Sequence, residues 1–198
     1  EIMEGNPFQF LEGVMLASYA VQANDAYIYL RGEFWQIARR LEAQIEELEA
    51  AGLLGEKILG SDFSLHLHVH LGAGAYICGE ETALLESIEG KLGQPRLRPP
   101  FPAVAGLFAK PTVINNVETL TNLPPIVQNG PAWYREFGTE KSPGVKVFSL
   151  SGCVNRPGNY ELPLATTFRE LIYQHGGGIP EGRQVKALMA AGASSTLI

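Results

Sequence analysis

From Phe63 to Leu71 the chain alternates strictly, with Phe63, Leu65, Leu67, Val69 and Leu71 on one face and Ser64, His66, His68 and His70 on the other. A period of two marks a half-buried strand. Directly after it, Gly72-Ala-Gly-Ala-Tyr-Ile-Cys-Gly79 strips the backbone of bulk, and a short helix is expected from about Gly79 to Glu89, ended by Gly90. Strand, glycine-rich turn and helix in that order point to a layered α/β domain with a partly parallel sheet.

The flanking segments agree. Asn6-Pro7 is a good helix opening, because asparagine can cap free N–H groups and proline suits the first helical turn. Leu11, Val14, Met15, Tyr19 and Val21 are the expected core-facing residues of a helix running to about Gln22. Ala26 to Arg31 reads as a strand, and Phe34, Ile37, Leu41, Ile45 and Leu48 recur at helical spacing up to Gly52. Gly93 to Pro102 is rich in proline and arginine and is expected to be irregular. Asn115-Asn116 opens another helix, and Pro131 to Phe137 adds a short one. The polar, glycine-bearing stretch Gly138 to Gly144 is the expected domain boundary, dividing the chain into 1–143 and 144–198. Beyond it, strands at Val145–Ser151, Tyr160–Leu162 and Val185–Leu188 around a helix at Thr167–His175 suggest a small β-grasp-like unit.

Composition narrows the function classes. Hydrophobic residues at 45% and charged residues at 18% are ordinary globular material. A net charge of −6 gives no basic footprint for nucleic acid. Cys78 and Cys153 are the only cysteines, too few for a disulfide framework or a zinc ribbon, and an intracellular, reducing compartment fits best. No apolar run is long enough to cross a bilayer, no signal peptide opens the chain, and its ends read as a truncation, so membrane association is expected only through partners.

Three segments could carry chemistry. Glycines after a strand let backbone N–H groups approach a phosphate or a flat ring, although Gly72, Gly74 and Gly79 lack the G-x-G-x-x-G spacing of a dinucleotide fingerprint. Glu80 and Glu81, in the first helical turn, either complement the helix dipole or meet a cofactor. With Asn115 as N-cap, Glu118 falls three residues on, an asparagine version of the capping box whose default role is structural. In Arg96-Leu-Arg-Pro-Pro-Phe-Pro102, prolines present Arg98 and Phe101 on a stiff loop, suited to a nucleotide's phosphate and base or equally to a plain linker. His66, His68 and His70 have zinc-compatible spacing but no third ligand at hand, so they read as the polar face of a strand and no metal site is expected. Cys78 reads as a small buried filler.

Together, Gly72 to Gly90, Gln94 to Gly106 and Pro111 to Leu120 closely resemble, in order and spacing, the NADH-binding flavoprotein subunits of respiratory complex I. Met3 to Pro7, Ser149 to Gly152 and Asn155 to Gly158 extend the resemblance over nearly the whole chain. It implies a Rossmann-like FMN-binding domain, incomplete here, followed by a small α+β SLBB domain of β-grasp type. The family's Gly-Arg-Gly-Gly-Ala-Gly-Phe loop and its cysteine-rich iron–sulfur domain are not in this sequence, so the chain alone is expected to be inactive.

The resemblance also implies roles. Gly72, Gly74, Gly79, Glu80 and Glu81 would line FMN and the nicotinamide, with Glu80 and Glu81 as the catalytic pair. Asn115, Asn116 and Thr119 would hold the flavin's polar tail and phosphate. Phe101 would stack on a ring of NADH beside Arg98, where the family more often carries lysine. The family's Pro-Gly-Gly-Ser-Ser reads here as Ala191-Gly-Ala-Ser-Ser195, so a changed turn is expected. The implied activity is oxidation of NADH by FMN, with electrons passed to iron–sulfur clusters, one of them carried by the family's C-terminal domain, and on to quinone. Localisation would be cytoplasmic, at the inner face of the membrane through those partners. A diaphorase subunit of an NAD-reducing hydrogenase or formate dehydrogenase is the nearest alternative; a non-catalytic docking module is the alternative of another class.

Overall fold

In the computed structural model, which describes residues 1–192 and 194–198, a strand–helix–strand unit carries the first half of the chain. After a single turn, α1 (Ile2–Gly5), the helix α2 (Pro7–Val21) starts at Asn6, whose side chain accepts from the Gln9 N–H at 3.3 Å. Phe10, Leu11, Val14 and Ser18 form its buried stripe. Tyr19 and Val21, expected inward, lie 59% and 53% exposed, and the stripe instead begins with Phe10. Tyr19 falls on the face opposite Phe10, whereas Val21 shares the angle of the stripe but is the last residue of the helix, where the chain turns away at the left-handed Gln22.

Strand β1 (Asp25–Leu30) follows, then α3 (Trp35–Ala50), then β2 (His66–Leu71). The two strands are parallel, in the register Asp25↔His66 through Leu30↔Leu71, as a helical crossover requires. Ile37, Ala38, Leu41 and Ile45 bury one side of α3, while Phe34 sits in the preceding tight turn and stays exposed. These residues join Ile28, Leu30, Leu54, Ile58, Leu65 and Leu67 in one core cluster with the buried face of α2. Packing is closest at Gly13: a Cβ there would lie 2.0 Å from the Leu120 carbonyl oxygen, so only glycine lets α2 approach α6 (Val117–Thr121). Between β2 and α6 run α4 (Glu81–Ile88) and the short α5 (Pro102–Ala105).

Contacts divide the chain between Pro125 and Ile126, ahead of the glycine-bearing stretch 138–144. The division falls within α7 (Leu123–Asn129). In the second unit, α8 (Pro131–Arg135) precedes the antiparallel pair β3 (Val145–Leu150) and β4 (Gly158–Pro163). Thr167 and Glu170 form a reciprocal capping box at the start of α9 (Phe168–Glu170), which widens into a π-type turn over Leu171–His175 and buries Leu171 and Ile172. The strand expected at Val185–Leu188 does not form. Leu188 exchanges both hydrogen bonds with Ile198 at 3.0 and 2.9 Å, leaving a single bridge, Met189 to Leu197, without a ladder. The changed turn expected around Ala193 lies outside the described residues.

The histidine face is a set of cross-strand pairs. His68 stacks on Tyr27 with ring centres 4.7 Å apart, and His70 stacks on Tyr29 at 5.5 Å. His68 Nε2 lies 3.1 Å from Asp25, and His66 Nε2 lies 3.3 Å from Glu56. The two stacked pairs, which link β1 to β2, are of the kind that fixes register in a sheet.

Candidate functional site

Parallel strands end side by side, so their following turns meet. After β1 comes Gly32 and after β2 comes Gly72; a Cβ on Gly32 would lie 2.5 Å from the Gly72 carbonyl oxygen. A Cβ on Gly72 would in turn collide with the Tyr29 hydroxyl at 2.1 Å. That hydroxyl is 3.0 Å from Ser87 Oγ on α4, so Tyr29 props the glycine turn against the helix. Burial raises the Tyr29 pKa, the Ser87 bond partly opposing it, and keeps the phenol protonated. Gly74 holds φ +85°, the left-handed region that favours glycine, with the Glu33 carboxylate 3.5 Å from where its Cβ would stand.

The turn closes through a tight helical turn, Tyr76–Gly79, into α4. Cys78 is buried there, and a Cβ on Gly93 would lie 2.4 Å from its sulfur, so the cysteine wedges the glycine loop against the start of the proline-rich loop. Gly79 is the contrast: a Cβ built on it meets nothing within 4 Å. Open space therefore lies in front of the residue that leads into the helix.

Glu80 is the N-cap of α4 and not part of its first turn as expected. Its Oε2 accepts from the Thr82 and Ala83 N–H groups, both at 2.9 Å, and from the Thr82 hydroxyl at 2.5 Å. The helix start that could hold a phosphate is thus already filled by the chain's own carboxylate. Burial alone would raise the Glu80 pKa; the Thr82 hydroxyl, the two N–H groups and the Arg98 charge outweigh it, and the group is held ionised below its usual range. Glu81 occupies the first helical turn.

Arg98 joins the two carboxylates. Its Nη2 lies 2.5 Å from Glu80 Oε1 and 2.8 Å from Glu81 Oε1, with the three side chains 31% to 40% exposed. Phe101 lies 56% exposed just ahead of α5, its carbonyl accepting from the Val104 and Ala105 N–H groups. The structure therefore brings Glu80, Glu81 and Arg98 together beside the glycine turn of Gly72, Gly74 and Gly79. Asn115, Asn116 and Thr119 stand exposed on another support, the start of α6, which packs on α2. There the cap is Asn116, not Asn115: its Oδ1 accepts from the Glu118 N–H at 2.9 Å, which puts Glu118 two residues on and dissolves the expected capping box.

Sequence reasoning missed four residues. Thr82, 1% exposed, links Glu80 to the proline-rich loop by accepting from the Arg96 N–H at 2.8 Å. Arg96 pairs with Glu86 and Glu89 on α4 and its C-terminal cap. Arg31 and Glu33, paired at 2.8 Å, stand where β1 ends. A signal existed for that last pair, since Arg-Gly-Glu follows a strand as the glycine turn does; none existed for Thr82.

Among the described residues no group of three or more histidine, cysteine or acidic side chains is placed to hold a metal ion, and no helix is long and apolar enough to cross a membrane. Residues 1–125 match the model of the Nuo51 FMN-binding domain and residues 147–196 that of the SLBB domain. The chain is 55% identical to an NADH-quinone oxidoreductase subunit of Rhizobium meliloti over 197 residues, all of this chain and 47% of that protein. It is 54% identical to the corresponding NADH-quinone oxidoreductase subunit of Mycobacterium tuberculosis, covering all of this chain and 44% of that one, so it spans about half the length of these relatives. It is 49% identical to the mitochondrial NADH dehydrogenase [ubiquinone] flavoprotein 1 of Dictyostelium discoideum, covering 98% of this chain and 41% of that one. An NAD+-reducing [NiFe]-hydrogenase in its H2-reduced state superposes with a TM-score of 0.87 at 40% identity, over the whole of this chain and 32% of that one.

Proposed function

The chain belongs to the Nuo51 FMN-binding family, with an SLBB domain after it, and from that premise we propose that it forms part of an NADH-oxidising flavin site. The observation that carries this reading is the open face of Gly79 flanked by Glu80, Glu81 and Arg98. A flat ring needs backbone without Cβ atoms on one side and polar groups at its rim; this stretch offers both, so the residues present fit FMN. Bound there, FMN would accept a hydride from NADH and pass electrons on singly.

The chain's own part is positioning and electrostatics. Gly72, Gly74 and Gly79 keep the turn close and unobstructed. Glu80 and Glu81 orient the nicotinamide amide by accepting hydrogen bonds, and their charge disfavours further negative charge building up beside them. Arg98 offsets part of that charge and offers donors to the nucleotide. Phe101 supplies an exposed face for stacking. Asn115, Asn116 and Thr119, exposed at the start of α6, hold the polar tail and phosphate of the flavin. Residues 1–143 carry the site and 144–198 the SLBB unit, which docks partner subunits. Those partners receive the electrons through iron–sulfur clusters, pass them to quinone, and attach the protein to the inner face of the cytoplasmic membrane.

The superposition with the NAD+-reducing hydrogenase favours a second machine with the same site, in which the chain serves as the diaphorase subunit. Higher identity to the quinone-linked relatives supports the complex I reading ahead of it. The test is Glu81→Gln in the complete subunit, purified with its partners. A changed NADH affinity and a raised flavin potential are expected; if both stay as in the wild type, the pair has no such role.

A further inference from the structure

The proline-rich loop presents Arg98 and Phe101, yet its backbone does little to hold itself. Among the described residues, no backbone group from 92 to 100 bonds to another backbone group. What fixes the loop is side-chain chemistry, and most of it converges on Arg96. Its guanidinium pairs with Glu86 through Nε, with Glu89 through Nη2 at 2.7 Å, and donates through Nη1 to the Gly106 carbonyl at 2.8 Å. Its backbone N–H donates to the Thr82 hydroxyl. Arg96 thereby ties together the middle and end of α4, the outgoing loop and the Gly106 turn beyond α5.

Geometry makes this anchor relevant to Arg98. Residues two apart in an extended chain point to the same side about 7 Å apart, while six helical residues span about 9 Å. A loop running back along α4 can therefore set Arg96 on Glu86 and Glu89 and Arg98 on Glu80 and Glu81, as observed. The anchor end is the enclosed one: Glu86 and Glu89 are 14% and 7% exposed, whereas Glu80 and Glu81 are 31% and 40%. Glu89 also accepts from Lys91 and from the Phe108 N–H. A second link runs through Thr82, whose hydroxyl accepts from Arg96 and donates to the Glu80 carboxylate that Arg98 meets.

We propose that Arg96 is a positioning residue for NADH, holding the loop so that Arg98 and Phe101 stand where the nucleotide needs them. It touches no substrate; it acts through the two residues that do. The proposal rests on the flavin-site reading above.

Arg96→Lys keeps the charge and gives up the fork that reaches three partners at once. In the complete complex, the KM for NADH should rise about five- to tenfold, with kcat within about twofold and flavin content unchanged. Trypsin must draw residue 96 out of its pairs to cut after it, so cleavage there should quicken about tenfold in the variant, a readout independent of turnover. Glu89→Gln, which loosens the anchor from its far side, should move both quantities the same way by less. In an Arg98→Ala background, Arg96→Lys should add little further. An unchanged KM despite faster cleavage, an additive double variant, or loss of flavin with the loop still protected would each overturn the proposal. If instead Arg98→Ala and Phe101→Ala leave the KM for NADH unchanged, the loop is no nucleotide site, and the underlying reading fails before the question of Arg96 arises.

Discussion

The two ends of α4 carry the same chemistry in different surroundings. At its start, Glu80 and Glu81 meet Arg98 near solvent; at its end, Glu86 and Glu89 meet Arg96 largely out of it. Exposed pairs of this kind are worth little to stability, because water and salt compete for both partners. Enclosed pairs are costly to break, because the surviving charge is left without solvent. The same residue types thus divide by burial into a rim free to engage a ligand and an anchor that is not.

Removing each arginine should break the comparison most sharply. Arg96→Ala leaves the enclosed Glu86 and Glu89 to share Lys91 and should cost about 3 kcal/mol in denaturant unfolding. Arg98→Ala should cost less than about 1 kcal/mol in the same measurement. Equal losses would mean that burial does not separate the two ends.

Gly93 and Cys78 extend the contrast to packing. A Cβ on Gly93 meets the sulfur of the buried Cys78 at 2.4 Å. Gly93→Ala should cost about 1–3 kcal/mol as overpacking, and Gly93→Ala with Cys78→Ala should recover part of the loss.

Proton titration should report on the enclosed end. Burial alone would lift Glu89, but the hydrogen bonds from Lys91, Arg96 and the Phe108 N–H hold it at about 2, below its ordinary 4.5. A carboxylate depressed on folding stabilises the fold fully above its unfolded pKa, and that contribution drains away as pH falls toward the folded value. The melting temperature should therefore drop between about pH 4.5 and pH 2. Glu89→Gln should flatten that slope.

How much of this was legible in the sequence depended on range. The parallel pair β1 and β2, the helices at Pro7 and Trp35, and the irregular proline loop follow from periodicity and from breakers, which act within a few residues. The flavin-site family was legible because three glycine- and proline-bearing segments recur in order. Long-range choices were not: nothing local says that Thr82 joins Glu80 to Arg96, nor that Leu188 spends its hydrogen bonds on Ile198. The cap at α6 was missed by one residue because Asn115 and Asn116 are chemically identical, and only the register of Val117 against its neighbours decides between them.

The smallest expected effect on the fold is also the one that isolates the site. Gly79 lies outside the left-handed region, and a Cβ on it meets nothing within 4 Å, so Gly79→Ala should shift unfolding by less than about 0.5 kcal/mol. The space the methyl would occupy is the space assigned to the flavin ring. Flavin affinity of the complete subunit, read by quenching of flavin fluorescence, should therefore fall about tenfold while the melting curve of the cofactor-free protein stays put. The two glycines differ in what stands before them: Gly93→Ala harms the fold through its contact with Cys78, and Gly79→Ala harms only what comes from outside. Should Gly79→Ala bind flavin as well as the wild type, the open face in front of α4 is not where the ring lies.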